Sequence, residues 1–113
     1  MNVTYLIEFQ VEAEQRGRFH ALLGAVLDAM RHEAMFVNAT LHVDPADPDH
    51  LLLHETWRDH DDVVDVQVRR AYRQNWHAAL PELLAGERKI TTWTPLRVDA
   101  ARGASVPSRT HEE

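Results

Sequence analysis

Apolar and polar side chains alternate along the first stretch of the chain. From Val3 to Val11 the odd-numbered residues are all apolar, and β-branched and aromatic types are prominent among them. Because successive side chains of a strand point to opposite faces, this pattern predicts a β-strand with one face turned to a core. The polar segment Glu12–Gly17 that follows is predicted to be a loop.

The next apolar residues recur at helical spacing. Their intervals of three and four residues place them on one stripe of an amphipathic helix. We predict this helix from about Arg18 to Glu33, where the basic pair Arg31 and His32 suits the negative end of the helix dipole. The stripe comprises Phe19, Leu22, Leu23, Val26, Leu27 and Met30.

Alternation returns in two further stretches, Met35–Asp44 and Leu51–Trp57. The segment between them, DPADPDH, holds two Asp-Pro pairs, which favour a turn and cannot continue a central strand. We therefore predict two strands of one hairpin. The alternation places Phe36 on the face opposite the core, and it places Glu55 and Trp57 on the core face.

Strand is predicted to change to helix almost directly after Trp57. Asp59 can cap this helix, and the acidic residues after it suit the positive end of the dipole. Pro81 is expected to break or kink the helix, with a short second piece ending at Gly86. A last strand is predicted at Lys89–Thr94. The apolar stripe of the helix comprises Val64, Val68, Tyr72, Trp76, Ala79, Leu80 and Leu83.

Strand, helix, strand, strand, helix, strand is the order of the ferredoxin-like α+β fold, in which both helices cover one face of a four-stranded antiparallel sheet. The other face is predicted to carry Leu6, Phe36, Leu52 and Trp93 among polar residues. We predict that this face packs on a second copy, as a homodimer, since it is too apolar for water and too polar for a core. The domain is predicted to span residues 1–96, and residues 97–113, which lack apolar periodicity, are predicted to form a disordered C-terminal tail.

Composition narrows the classes of function. The chain has 113 residues and a formal net charge of -6, with 12 basic and 18 acidic residues and no sustained basic stripe, so a nucleic-acid partner is not expected. It has no cysteine, which removes disulfides and thiolate metal ligands. Since no apolar run reaches the roughly 18 residues of a membrane span and no signal-peptide pattern opens the sequence, we predict a cytoplasmic protein without a membrane partner.

The 8 histidines do not form a metal-binding motif. His50 and His60 are predicted in loops at the two ends of the third strand, where they cannot converge with His54. The spacing HExxH is absent. With only 4 glycines the chain also lacks a glycine-rich phosphate loop. We therefore expect no metal site and no nucleotide cofactor.

The junction between the third strand and the second helix reads HETWRDHDDVVDVQ. Together with the order of elements and the later LPELL, this segment resembles the antibiotic biosynthesis monooxygenase domain family, whose most recognisable short signature, Glu-x-Trp, is matched by Glu55 and Trp57. The resemblance covers about Asn2–Leu96. It implies a dimeric α+β barrel of the quinol monooxygenase type. It also implies oxidation of a small aromatic or polyketide substrate by O2 without a cofactor, with the substrate's own anion reducing the oxygen.

Three aromatic residues are candidates for the wall of such a site. The resemblance implies that Trp57 donates its indole N–H to a substrate oxygen and stacks on a flat ring; the alternative is a core tryptophan at the end of a strand. Tyr72 and Trp76 lie one turn apart on the second helix. They could line the same substrate pocket or belong to the core.

Two ionisable residues are candidates for proton transfer. Glu55 is a carboxylate on an apolar face, where burial would raise its pKa and make it a proton acceptor. The alternative, which we favour, is a structural ion pair with Arg58 or Arg73. His77 is predicted at the edge of the second helix, with the alternative that it reaches a substrate as a catalytic acid or base.

Two positions depart from the family pattern. Polyketide-oxidising members have an asparagine four residues before the tryptophan, where this chain has Leu53, which we place among the substrate-binding residues. The histidine usual in the family's second helix corresponds to Val66. These departures leave two alternatives open: a non-catalytic barrel that binds a ligand or serves in a stress response, and an isomerase or cyclase that uses Glu55 or a histidine as base.

Overall fold

The architecture is seen in a computed structural model that describes residues 1–103. Residues 104–113, the greater part of the predicted tail, lie outside the described residues. No helix within residues 1–103 is long and apolar enough to cross a membrane. The strands are β1 (Val3–Gln10), β2 (Phe36–Asp44), β3 (Asp47–Trp57) and β4 (Lys89–Trp93), and the helices are α1 (Arg16–Met30), α2 (His60–Asp65) and α3 (Gln74–Leu83).

The four strands form one antiparallel sheet in the order β2-β3-β1-β4. The core lies between this sheet and the helices α1 and α3. Phe9 of β1 is fully buried and meets Phe19 of α1 and Trp76 of α3 edge to face, with ring centroids 5.1 and 5.8 Å away. The predicted α+β ferredoxin-like fold is thus confirmed, and so is the apolar stripe of α1, which buries Phe19, Leu23, Val26 and Met30.

A β-bulge at the start of β2 exchanges the faces of two residues. Phe36 lies opposite Trp57 and Asn38 lies opposite Thr56, so Val37 is an extra residue in the ladder. Phe36 therefore turns to the helix-covered face, where its ring centroid is 5.2 Å from that of Trp57, and Val37 faces the open side of the sheet. The prediction that Phe36 lies on the open face was wrong, because strict alternation assumes that no residue is inserted.

The segment predicted as one long second helix is divided into short pieces. α2 is followed by single turns of 3-10 helix at Gln67–Arg69 and Ala71–Arg73, and only then does α3 begin. Between the two turns the chain is extended at Arg70, with ψ at 139°. The predicted apolar stripe is therefore wrong in its first half, because the rotation per residue is not that of a continuous helix. The exposed residues there are Val64 and Val68, and the buried ones are Val63 and Gln67.

Two prolines expected to end elements lie inside them. Pro81 is within α3, which runs on to Leu83, so the helix loses one intrahelical hydrogen bond without ending. Pro48 is in the irregular first part of β3, where the register with β2 shifts and the ladder is interrupted.

His50, predicted in a loop, belongs to β3 and pairs with Gln10 of β1. Its Nδ1 lies 2.9 Å from Asp44 Oδ2 and its Nε2 lies 2.5 Å from Glu8 Oε2. β3 begins at Asp47 and not at the predicted Leu51, so the strand includes His50. His50 thus bridges carboxylates of two other strands.

Candidate active site

The end of β3 places two of the predicted site residues side by side. Glu55 and Trp57 both face the helices and are 5% and 0% exposed. The indole Nε1–H of Trp57 donates a hydrogen bond of 3.0 Å to Glu55 Oε1. The N–H group that the resemblance assigned to a substrate oxygen is therefore engaged by Glu55 in this structure.

Glu55 is a carboxyl group in an apolar setting. Burial raises its pKa above the ordinary value of 4.5, and the hydrogen bond from Trp57 and the positive charges of Arg73 and Arg88 oppose this rise only in part. A carboxyl group with a raised pKa exchanges its proton nearer to neutral pH than an exposed one does. Glu55 is thus suited to general acid and base chemistry.

Arg73 brings a buried positive charge next to Trp57. Its guanidinium carbon lies 5.6 Å from the ring centroid of Trp57 and 5.9 Å from that of Tyr72. The residue is 8% exposed, and its Nε and Nη2 atoms have no hydrogen-bond partner among residues 1–103. Buried donors without protein partners cost stability unless a water molecule or a ligand completes them.

The structural ion pair that we favoured for Glu55 is not made through these two nitrogens of Arg73. Arg58, the other candidate partner, is exposed, and its Nε donates to the carbonyl oxygen of Ala34 at 3.3 Å. The carboxylate of Glu55 is therefore held by Trp57 and influenced by arginines that remain available to other groups.

A small, partly enclosed cavity of about 30 Å³ adjoins these residues. Its volume admits about one water molecule and excludes an aromatic ring. Two of the predicted substrate-binding residues, Leu53 and Trp76, share this cavity with Glu55, Arg73 and Arg88.

The three aromatic candidates do not meet around a common space. Trp76 packs edge to face on Phe9 and Phe19 in the core. Tyr72 is half-buried and its hydroxyl donates to Glu33 Oε2 at 3.0 Å. The guanidinium of Arg73 lies against the rings of both Tyr72 and Trp57. The three aromatic rings therefore do not line one pocket, and the charged guanidinium of Arg73 lies against two of them.

An open groove of about 610 Å³ runs between the C-terminal part of α3 and β4. His77 and Arg88 line it together with apolar side chains such as Leu80, Leu84 and Ile90. Burial, reinforced by the charges of Arg88 and Arg73, lowers the pKa of His77, so its imidazole is neutral at neutral pH. His77 therefore lines the groove, whereas Glu55 lines the small cavity.

Three residues of this region carried no clear signal in the sequence. Arg88 lies in the short connection before β4, where no periodicity applies, and Arg73 was considered only as an ion-pair partner. Gln67 is 2% exposed; its Nε2 donates to Asp62 Oδ2 at 3.0 Å, and its Oε1 has no partner among the described residues. Val66, at the position of the family's helix histidine, is 39% exposed at the end of α2.

Metal ligands do not cluster in the part of the chain that the structure describes. Within residues 1–103 no group of three or more His, Cys, Asp or Glu side chains is arranged to hold a metal ion. The reactive or charged groups of this region are the carboxyl group of Glu55, the guanidinium groups of Arg73 and Arg88, and the indole N–H of Trp57.

Solved structures with the same fold come from several bacteria. Rv0793 from Mycobacterium tuberculosis is 23% identical, with a TM-score of 0.79 over 88% of this chain and 100% of that chain. A protein from Nitrosomonas europaea that bears the name putative antibiotic biosynthesis monooxygenase is 15% identical, with a TM-score of 0.78 over 84% of this chain and 90% of that chain. A variant of SnoaB, a cofactor-independent oxygenase from Streptomyces nogalater, is 18% identical, with a TM-score of 0.73 over 86% and 95%. At these identities the likeness establishes the fold.

Sequence comparison gives the family. No curated protein matches this sequence. The sequence profile described as antibiotic biosynthesis monooxygenase matches residues 2–79, more than half of the chain, and this range contains Glu55, Trp57 and Arg73. The chain therefore belongs to the antibiotic biosynthesis monooxygenase family.

Proposed function

We propose that this protein is a cofactor-independent monooxygenase that oxidises a small aromatic substrate, of quinol or polyketide type, with O2. Family membership and structural neighbours named as monooxygenases support a monooxygenase of this fold. The observation that carries the finer proposal is the arrangement at the end of β3: a buried carboxyl group, Glu55, next to a buried guanidinium, Arg73, two of whose nitrogens have no hydrogen-bond partner in the described part of the chain.

The arrangement suits the formation and stabilisation of a phenolate. Glu55 accepts the phenolic proton, and the free N–H groups of Arg73 donate to the oxyanion that results. Trp57 positions Glu55 through its indole hydrogen bond. Burial strengthens these interactions, because fixed protein groups replace water around the charge.

The redox balance closes with substrate and O2 alone. Where a CH2 group between aromatic rings becomes a carbonyl, its carbon loses two hydrogens and gains one oxygen atom, and the second oxygen atom leaves as water. The substrate supplies all four electrons, and its anion is the reductant that transfers the first of them. The protein's contribution is to form the anion and to keep bulk water from it.

A second candidate is an isomerase or cyclase on the same site. Glu55 could move a proton between two carbon or oxygen positions of a substrate, and Arg73 would stabilise the enolate between them. The observation that favours it is that a buried carboxyl group beside a guanidinium suffices for proton transfer, which needs no O2. A binding protein without catalysis is the third possibility, favoured by Val66 at the position of the family's helix histidine.

Oxygen uptake distinguishes these candidates. We would measure it with a panel of hydroquinones and anthrone-type phenols, and follow the same compounds for isomerisation under nitrogen. Glu55→Gln keeps an acceptor for the Trp57 N–H but removes the proton acceptor, so a loss of about 100-fold or more in kcat/KM is expected. Glu14→Gln, at an exposed residue of the single 3-10 turn Ala13–Gln15 between β1 and α1, is the matched control.

Undiminished uptake in Glu55→Gln would contradict the assigned role. Product formation under nitrogen would favour the isomerase, and binding of these compounds without turnover would favour the binding protein. Circular dichroism of each variant would establish that the fold is retained.

We also propose that the protein is a homodimer that buries the open face of the sheet. This face carries Trp93, which is 57% exposed and lines a hollow of about 500 Å³, and Leu52, which is 36% exposed and lies outside that hollow. Light scattering is expected to give a particle of about twice 13.0 kDa at micromolar concentration. Trp93→Glu should shift it toward the monomer, whereas Ile90→Glu, on the other face of β4, should not. A wild-type particle of 13.0 kDa would refute the dimer.

A further inference from the structure

The small cavity and the open groove meet at the side chain of Arg88. It lines the cavity of about 30 Å³ beside Glu55 and also the groove of about 610 Å³ between α3 and β4. Of the described residues, Arg88 is the one that lines both spaces. Its side chain is therefore the partition between the groove and the proposed catalytic residues.

The backbone on either side of this partition is anchored to β1. Ala85 N–H donates to the carbonyl oxygen of Gln10 at 2.8 Å, and Lys89 pairs with Glu8. The connection that carries Arg88 is thus fixed at both ends. Movement of the partition is then a rotation of the long arginine side chain, which requires no rearrangement of the sheet.

Size assigns different roles to the two spaces. The groove has the volume of a small-molecule pocket, whereas the cavity holds about one water molecule. Leu80, Leu84 and Ile90 give the groove apolar walls that suit the face of an aromatic ring. A small-molecule ligand therefore fits the groove and does not fit the cavity in this structure.

Charge indicates which aromatic compounds the groove would prefer. Arg88 and Arg73 bring two positive charges to one buried carboxyl group, Glu55, in a chain whose formal net charge is -6. His77 adds no charge at neutral pH because its pKa is lowered, and Glu87 is exposed at the rim of the groove. Arg88 is partly buried; burial lowers its pKa, and the nearby charge of Glu55 opposes this. An anionic ligand in the groove would add a second favourable partner for this cation.

We propose that the groove binds an aromatic carboxylate, that Arg88 pairs with its carboxylate group, and that this pairing draws Arg88 out of the partition and opens the way to Glu55 and Arg73. Identification of the ligand as the substrate rests on the proposed function, but the binding itself does not. Arg88 is then a specificity-determining residue that selects acidic aromatic compounds over neutral ones of the same shape.

Binding of two matched probes tests this proposal without oxygen chemistry. Isothermal titration calorimetry would compare 2-naphthoate with its neutral isostere 2-naphthamide. Because charge-assisted hydrogen bonds are the stronger kind, wild-type protein is expected to bind naphthoate about tenfold or more tightly than naphthamide. Arg88→Gln should lose that preference, and Arg69→Gln, at an exposed arginine outside the groove, should keep it.

Several outcomes would overturn the proposal: no binding of naphthoate at millimolar concentration, equal affinity for the two probes in wild-type protein, or an undiminished preference in Arg88→Gln. Ile90→Trp fills the groove without changing its charge and should weaken both probes together. Urea unfolding of each variant verifies the fold. Retained preference in Ile90→Trp at unchanged affinity would place the binding elsewhere and refute the groove.

The result is separable from that of the oxygen assay. Naphthoate binding through Arg88, combined with unchanged oxygen uptake in Glu55→Gln, would support the groove and refute the catalytic assignment. Oxygen uptake that depends on Glu55 but not on Arg88, with equal rates for acidic and neutral substrates, would refute the role of Arg88 alone.

Discussion

Replacing Trp57 by phenylalanine removes the hydrogen bond to Glu55 while an aromatic ring remains at the end of β3. Trp57 is fully buried, and its Nε1–H donates to Glu55 Oε1 at 3.0 Å. Trp76→Phe is the matched control, because Trp76 is 4% exposed and packs through its ring on Phe9 and Phe19. The two substitutions remove the same atoms from two buried sites. Only Trp57→Phe also removes the hydrogen-bond donor of a carboxylate.

The expected losses of stability differ by the value of that hydrogen bond. Each substitution removes about 40 Å³ of buried side chain, which lowers the free energy of unfolding by about 1 kcal/mol at about 24 cal/mol per Å³ of cavity. A hydrogen bond to a charged group contributes about 1.5 to 3 kcal/mol. At a pH above the folded pKa of Glu55 we therefore expect a loss of about 3 kcal/mol for Trp57→Phe and about 1 kcal/mol for Trp76→Phe.

The pH dependence separates the hydrogen bond from packing. Burial raises the pKa of Glu55 in the folded protein above 4.5. The folded state then holds this proton more tightly than the unfolded chain does, so stability falls as the pH rises from 4.5 through the folded pKa. The hydrogen bond from Trp57 favours the carboxylate and limits that rise in pKa. The extra loss in Trp57→Phe should therefore be complete above the folded pKa and shrink as acid protonates Glu55.

Urea unfolding followed by far-ultraviolet circular dichroism, extrapolated linearly to zero urea, measures these differences. All proteins must be compared at one concentration, since the stability of a dimer depends on it. Losses that stay equal for the two variants over the whole pH range in which the fold is retained would refute the reasoning. So would a difference between them that stays constant down to the pH at which Glu55 is protonated.

Two further predictions concern the sheet. Hydrogen bonds with Asp44 and Glu8 raise the pKa of His50 above 6.5, so its contribution to stability is complete below pH 6.5 and is lost as the pH rises through the raised pKa. In urea unfolding between pH 6 and pH 9, His50→Gln should flatten this part of the stability profile. An unchanged profile would contradict the bridge. Phe36→Ala should cost about 2 kcal/mol more than Val37→Ala in thermal unfolding, because the bulge turns Phe36 to the core and Val37 to the open face; equal costs would contradict that placement.

The order of the elements could be predicted because their patterns are long and regular. β1 alternates without interruption, and α1 keeps one stripe of apolar residues at helical spacing. Both patterns follow from burial of one face, which is a property of the segment itself.

The errors fall where one residue changes the register. An inserted residue at Val37 reverses the faces at the start of β2, and an extended residue at Arg70 divides the second helix. Neither event has a local signature in composition, since Val37 fits a strand and Arg70 fits a helix. Contacts distant in sequence decide both.

The site was predictable in its strand part and not in its helical part. Alternation along β3 places Glu55 and Trp57 on one face, two residues apart, which is the geometry their hydrogen bond requires. The positions of Arg73 and Arg88 depend on an irregular segment and on a connection before an edge strand. Periodicity carries no information about either, so Arg73 was anticipated only as an ion-pair partner of Glu55, and Arg88 was not anticipated at all.

The divided segment between α2 and α3 has a consequence for motion. Its backbone is held by hydrogen bonds of single turns, from Arg69 N to Val66 O, from Arg70 N to Gln67 O and from Arg73 N to Arg70 O. Such turns open locally at far lower free energy than a strand in the middle of a sheet. Amide protons of this segment should therefore exchange with solvent well before those of β1 and β3. Rearrangement around Arg73 is then governed by local opening, and a substitution that strengthens the sheet would raise global stability without slowing it.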